Sequence, residues 1–293
     1  MPESSRSELD DVAIVFDSIR PRLFGIAYRM LGSASEAEDV VQDAWLRWQT
    51  YDRSKVERPV AFLSTTTTRL AINAVQSARA RRETYIGPWL PEPVDTSADP
   101  ALGAERGEAL SFAVLLLLEK LSPTERAAYV LRESFEYPYR QIADTIEVSE
   151  ANARQLVTRA RKHIAAGSSA SVSTEDHRRL LAAFVDAAQN GDLAGLTALF
   201  AEDVVSSSDG GGVKDVLAAR ISVEGDVRVA KFVAAFSSHF WTAATITWVQ
   251  ANGAPAIVLA REGIPYTLLT IAPTPAGIAQ LHWVMNPSKL GAF

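Results

Sequence analysis

Residues 139–163, YRQIADTIEVSEANARQLVTRARKH, read as two short helices joined by a tight turn, the second of them basic. Ile142, Ala143 and Ile146 are the inward positions of the first helix, Glu147 and Val148 make the turn, and Ser149 is a good N-cap for the second helix. There Ala153, Leu156, Val157, Ala160 and Ile164 recur at intervals of three and four, which places them on one buried stripe. The opposite face presents Asn152, Arg154, Gln155, Thr158, Arg161 and Lys162. Between Ala151 and His163 stand four cations and no acid. A helix of this kind suits the major groove, with amide and guanidinium groups near its start offering paired donors and acceptors to base edges. Arg159, Arg161 and Lys162 suit phosphates. The bland alternative is a solvated charged face on an ordinary helical hairpin.

Working outward, residues 12–83 read as a helical module. Val12, Val15, Phe16, Ile19, Leu23, Ile26, Ala27 and Met30 keep a helical period, with Pro21 as a local kink and Gly32 as the stop. Ser33 and Glu36 form a capping-box pair that opens a second helix through Trp48, with Ala37, Val40, Val41, Ala44, Trp45 and Trp48 on its apolar side. After the loop 50–58, Pro59 opens a third helix that runs to about Arg82 and ends in ARARRE. Residues 108–166 resume the helical period, and Ser122 with Pro123 is another strong start signal.

Between these modules, residues 84–107 form a connector in which Pro88, Pro91, Pro93 and Pro100 fall within thirteen residues. Tyr85, Ile86, Trp89 and Leu90 are too apolar for a purely flexible linker, so part of it should dock on a surface. A small-residue spacer, Ala165 to Ser173, leads into residues 174–293. There two amphipathic helices, 175–189 and 193–200, precede short β-branched or aromatic runs at 204–207, 245–250, 256–261, 266–272 and 278–285, with one more helix near 226–237. Helices followed by an antiparallel meander indicate an α+β domain.

The net charge of −6 is unevenly spread. Residues 12–83 hold 11 cations against 8 acids, whereas 174–293 hold 8 against 11. Basic character is thus confined to the first module and the second hairpin helix. With no cysteine, neither a disulfide framework nor a thiolate metal site can form. The start, MPESSRSELDD, lacks the layout of a signal peptide, and the longest apolar run, 112–118, is too short to span a bilayer. A cytoplasmic protein without membrane contact, cofactor or metal is expected.

Three stretches, FDSIRPRLFGIAYRMLGSASEAEDVVQDAWLRW, RPVAFLSTTTTRLAINAVQSARARR and LSPTERAAYVLRESFEYPYRQIADTI with the helix after it, resemble the extracytoplasmic-function sigma factors of bacterial RNA polymerase. The run YIGPWLPEP, the loop DGGGVK and the ending NPSKL further resemble the subgroup with a C-terminal SnoaL-like extension. The resemblance implies two all-α modules, sigma region 2 at 1–83 and helix-turn-helix region 4 at 108–166, then an α+β SnoaL-like cone domain at 174–293. It implies as partners promoter DNA and the polymerase core, through clamp helices of the largest subunit and the flap of the second largest. A small-molecule ligand of the C-terminal domain also belongs to this reading.

Carried over residue by residue, the resemblance assigns Asp39, Gln42, Asp43 and Trp48 to the polymerase surface, where an acidic, amide-bearing face suits a basic protein partner. Arg69, Asn73, Arg79, Arg81 and Arg82 become contacts to the melted minus-10 element, which needs an electrostatic groove and a pocket for an unstacked base. The hydroxyls of 64–68 stand where housekeeping factors use aromatic wedges, which implies weaker intrinsic melting. The minus-35 reader becomes Ser149, Asn152, Arg154, Gln155, Thr158, Arg161 and Lys162. Trp89, Leu90, Pro91, Asp209, Gly210, Gly211, Gly212, Lys214, Asn286 and Lys289 become interdomain regulatory contacts, with Asp209 and Lys214 as polar anchors. Ser288 stands where the subgroup more usually has an acid. His177, His239 and His282 cannot be paired with an Asp from sequence, and His177 and His282 sit where structural histidines are commoner. Two other readings compete: a SnoaL-like enzyme or ligand sensor tethered to a DNA-binding module, and a duplex-binding repressor. A region-2-like module has no use in the latter.

Overall fold

The computed structural model describes residues 3–97, 111–167, 172–214 and 216–293. The end of the expected connector, 98–107, and positions 168–171 of the spacer lie outside them. The described residues fall into two compact units. One comprises 3–81 and 117–167; the other comprises 82–97, 111–116 and the chain from 172 onward. The proline-rich connector therefore counts with the C-terminal body.

The first unit is helical. Helix α1 (Glu3–Leu31) holds Pro21 within its length, and Gly32, at a φ of 64°, turns the chain into α2 (Ala34–Thr50). The Ser33 hydroxyl accepts the N–H of Glu36, but the reciprocal arm of the expected capping box is redirected, because the Glu36 carboxylate pairs with Arg81. Helix α3 (Pro59–Glu83) completes the first module. Leu23, Ile26, Met30 and Leu31 of α1, Val40, Val41 and Ala44 of α2, and Leu63, Ala71 and Val75 of α3 are buried in the first unit.

Helix α4 (Phe112–Glu119) precedes α5 (Pro123–Glu133), which carries a complete capping box between Ser122 and Glu125. Helix α6 (Tyr139–Ile146) ends where Glu147 takes the left-handed conformation at a φ of 59°, and α7 (Glu150–Gly167) follows. The stripe Ala153, Leu156, Val157, Ala160 and Ile164 is buried, as its spacing requires. Helix α5 packs on α1 through Arg126, itself buried: its Nη1 donates to the Met30 carbonyl at 2.6 Å and meets Glu119 at 2.7 Å.

In the second unit, α8 (Thr174–Asn190) and α9 (Leu193–Leu199) lead into β1 (Phe200–Asp209) and β2 (Val223–Glu224). Helix α10 (Asp226–Ala235) then precedes β3 (Thr245–Ala251), β4 (Ala254–Arg261), β5 (Ile264–Thr274) and β6 (Gly277–Val284). The sheet order is β2-β1-β6-β5-β4-β3. Strands β3 to β6 form the expected antiparallel meander, but β1 joins it parallel to β6. Asn252 and Gly253, both at positive φ, make the two-residue β3–β4 turn.

Alternation along the strands loads both faces. Ile257, Leu259, Leu269, Ile271, Leu281 and Trp283 share a core with Leu181 and Phe184 of α8 and Val229 of α10. Ala256, Val258, Leu268 and Val284 point the other way, onto Leu90 of the connector, Phe112 and Leu290. The apolar residues of the connector therefore dock, and burying Leu90 alone is worth about 2 kcal/mol. Farther along, Thr96 N–H donates to the Gln250 carbonyl and Asn252 N–H to the Val94 carbonyl, each at 2.9 Å. Among the described residues no helix is long and apolar enough to cross a membrane.

Candidate nucleic-acid interface and connector clamp

Helix α7 presents Asn152, Arg154, Gln155, Thr158, Arg161 and Lys162 to solvent, with Ser149 exposed at its start. The Ser149 hydroxyl caps the helix by accepting the Asn152 N–H at 3.2 Å. The polar face is not uniformly free. Arg154 pairs with Glu150 at 2.6 Å and lies over the Tyr139 ring, Arg159 pairs with Glu125, and Arg161 pairs with Glu133 at 2.8 Å. The side chains of Asn152, Gln155 and Lys162 have no partner among the described residues. These three polar groups are thus open, while the arginines of the face are held by exposed ion pairs of roughly 0.2–1 kcal/mol each.

On the first module, Asp39, Gln42 and Asp43 lie exposed along α2. Trp48 does not join them. It is buried, and its Nε1–H donates to the Val12 carbonyl at 3.3 Å. An indole on the apolar stripe of α2 is worth more in the core than on a wet surface. Asn73 and Arg79 are exposed on α3, and Arg81 is held by Glu36. Arg69 is taken up within the helical unit: its Nε donates to the Thr145 carbonyl at 2.9 Å, one Nη to the Asp144 carbonyl at 3.0 Å, and the same group meets Glu147 at 3.1 Å. These are the last carbonyls of α6, where a cation is favoured by the helix dipole. The hydroxyls of 64–68 are not displayed as a block. Ser64, Thr67 and Thr68 are buried, Thr68 bonds the Ser64 carbonyl, Thr66 bonds that of Phe62, and Thr65 meets Thr145 at 3.1 Å.

In the second unit, Asp209 organises a clamp on the connector. It is fully buried at the end of β1 and accepts four donors: the Tyr85 hydroxyl at 2.5 Å, the Leu90 N–H at 2.9 Å, the Gly211 N–H at 3.1 Å and Lys289 Nζ at 2.7 Å. Lys289 Nζ also donates to the Leu90 carbonyl at 2.5 Å, and Asn286 Nδ2 donates to Tyr85 at 3.0 Å. Trp89 carries two cations over its ring, Arg82 at 3.6 Å and Lys289 at 4.5 Å from the centroid. Pro91 is buried. Burial pulls the Lys289 ammonium below its ordinary pKa while Asp209 works against that fall. The Tyr85 hydroxyl is pushed well above its usual range by burial and by the Asp209 carboxylate that accepts its hydrogen bond.

The expected anchor Lys214 takes no part. It is exposed and has no partner among the described residues; Lys289 supplies the cation instead. The glycines shape the loop. Gly210 is buried, Gly211 and Gly212 stand at φ of 65° and 68°, and a Cβ on Gly211 would come within 2.6 Å of Asn286. Ser288 closes a turn on Asn286 rather than a salt bridge. Pairing Asp209 with Lys289 spans 80 residues, and no local signal announces it.

The C-terminal body also holds a small pocket walled by Phe232, Phe236, Phe240, Trp241 and Trp283, with Ser208 as its polar residue. Among the described residues no histidine or carboxylate lines it. His282 is buried elsewhere, stacked 5.8 Å from Phe112, and neither of its ring nitrogens has a hydrogen-bond partner. His177 is buried too, with Nε2 unpartnered. Burial lowers both histidines to about 4.

Residues 15–81 match the family Sigma-70 region 2, and residues 111–164 match Sigma-70, region 4. The chain is 38% identical over 223 residues to the ECF RNA polymerase sigma factor SigJ of Mycobacterium tuberculosis, covering 74% of this chain and 70% of that protein. It is 32% identical over 289 residues to the probable ECF RNA polymerase sigma factor SigI of the same organism, covering 97% and 96%. The crystal structure of Mycobacterium tuberculosis SigJ superposes with a TM-score of 0.77 at 29% identity, over 96% of this chain and 98% of that one. Two helical sigma modules followed by a sheet-containing body, matched along nearly the whole length, place the chain in the extracytoplasmic-function RNA polymerase sigma factors, alternative sigma factors that direct transcription initiation.

Proposed function

We propose that this sigma factor contacts the polymerase clamp helices through Asp39, Gln42 and Asp43, and the flap through its helix-turn-helix module. It reads the minus-35 element with Asn152, Gln155 and Lys162, joined by Arg154 and Arg161 once their ion pairs open. Asn73, Arg79 and Arg81, with Arg69 after its release from α6, serve the minus-10 strand. The C-terminal body acts without catalysis, in the cytoplasm, by governing the connector. The observation that carries this reading is Asp209, whose donors include Tyr85 and Leu90 of the segment that lies in sequence between the two sigma modules. A covalently attached regulator has a high effective concentration, so a modest contact suffices. The aromatic pocket suits a second role for the same body, capture of an apolar small molecule.

The minus-35 assignment has a direct test. In transcription with core polymerase on a promoter the native chain uses, Asn152→Ala combined with Gln155→Ala is expected to cut initiation by about tenfold or more, at about 1–3 kcal/mol per lost bidentate contact. Core binding, measured by fluorescence anisotropy, should be unchanged. Undiminished initiation would remove these residues from the reader.

A further inference from the structure

Four arginines line one cleft of the helical unit, a space of about 750 Å³ bounded by α2, α3 and α6: Arg47, Arg58, Arg69 and Arg140. Arg69 is engaged with the end of α6 and with Glu147. The side chains of Arg47, Arg58 and Arg140 are exposed and have neither hydrogen bond nor ion pair among the described residues. Arg79, Arg220 and Arg228 are exposed and unpaired as well, but only here do three such side chains line one cleft among the described residues. Among the described residues Asp144 is the one acid in the lining. In a chain with 35 acids and 29 lysines and arginines, four guanidinium groups against Asp144 and the Glu147 that pairs with Arg69 are a local excess of positive charge that an anion relieves.

Guanidinium forks match phosphate oxygens bidentately, and three open forks call for a ligand with more oxygens than one phosphate presents. We propose that this cleft binds a small polyphosphate anion, diphosphate or a nucleoside di- or triphosphate, and that the bound anion holds α6 against α3. Arg140 belongs to α6 and Arg58 stands just before α3, so the complete set exists only while the two helices are packed. A ligand selective for the packed arrangement opposes its opening by mass action. The regulatory consequence rests on the promoter reading proposed above, since Arg69 must leave α6 to reach DNA. The binding itself does not.

Calorimetric titration of the full chain at constant ionic strength, without polymerase or promoter, tests it with three probes: diphosphate, ATP and adenosine. Saturable binding of the first two and none of adenosine is expected. Arg140→Gln should weaken diphosphate binding about tenfold, the loss of about 1.4 kcal/mol from one charge-assisted contact. Arg47→Gln, on another helix, should weaken it independently, and Arg179→Gln should not. Absence of saturable binding, or titration of Arg140→Gln like the native chain, overturns the proposal. So does a single-stranded oligonucleotide whose affinity falls with Arg140→Gln as much as that of diphosphate, because the occupant is then nucleic acid.

Discussion

Lys289→Met is expected to destabilise the C-terminal body by about 3–5 kcal/mol, the cost of stranding a buried charge. Asp209 keeps the Tyr85 hydroxyl and the N–H groups of Leu90 and Gly211, but loses the ammonium 2.7 Å from its carboxylate. The Leu90 carbonyl loses its Nζ donor in the same step. Adding Asp209→Asn should recover part of the loss, because no uncompensated charge then remains in the clamp. Urea denaturation followed by circular dichroism reads both variants. A Lys289→Met chain that unfolds at the native midpoint would mean that the pair is weaker than its burial implies.

The second large effect is expected in acid. His177 and His282 are held near a pKa of 4 by burial, against an ordinary value of about 6.5. Between those values the unfolded chain binds protons that the folded chain refuses, so stability rises with pH through this window. It is fully present above about pH 6.5 and declines as pH falls towards 4, by up to about 1.4 kcal/mol per pH unit for each histidine. Carboxylates titrate at the low end as well, so the discriminating variant is His282→Leu. Its stability should fall about half as steeply between pH 6.5 and pH 5 as that of the native chain. Equal slopes would show that His282 gains a proton without unfolding its surroundings.

Local periodicity carried much of the fold. Ala153, Leu156, Val157, Ala160 and Ile164 were legible as a stripe because a helix repeats every 3.6 residues whatever packs on it. Ser122 and Pro123 marked the start of α5, and alternation marked the strands of the meander. Pairings distant in sequence were not legible. Nothing local indicates that β1 runs parallel to β6, that Lys289 and not Lys214 meets Asp209, or that Arg69 closes the end of α6. Trp48 shows the limit of residue-by-residue transfer. Its position on the apolar stripe of α2 already competed with a place on the polymerase surface, and burial won.

We propose that the C-terminal body restrains promoter use by gripping the connector, with Arg82 held over Trp89. Run-off transcription with core polymerase, on a promoter the native chain uses, compares that chain with Lys289→Met at a temperature where both stay folded. More transcript per bound polymerase from Lys289→Met is the predicted result. Equal or lower yield, with core binding unchanged, would contradict it.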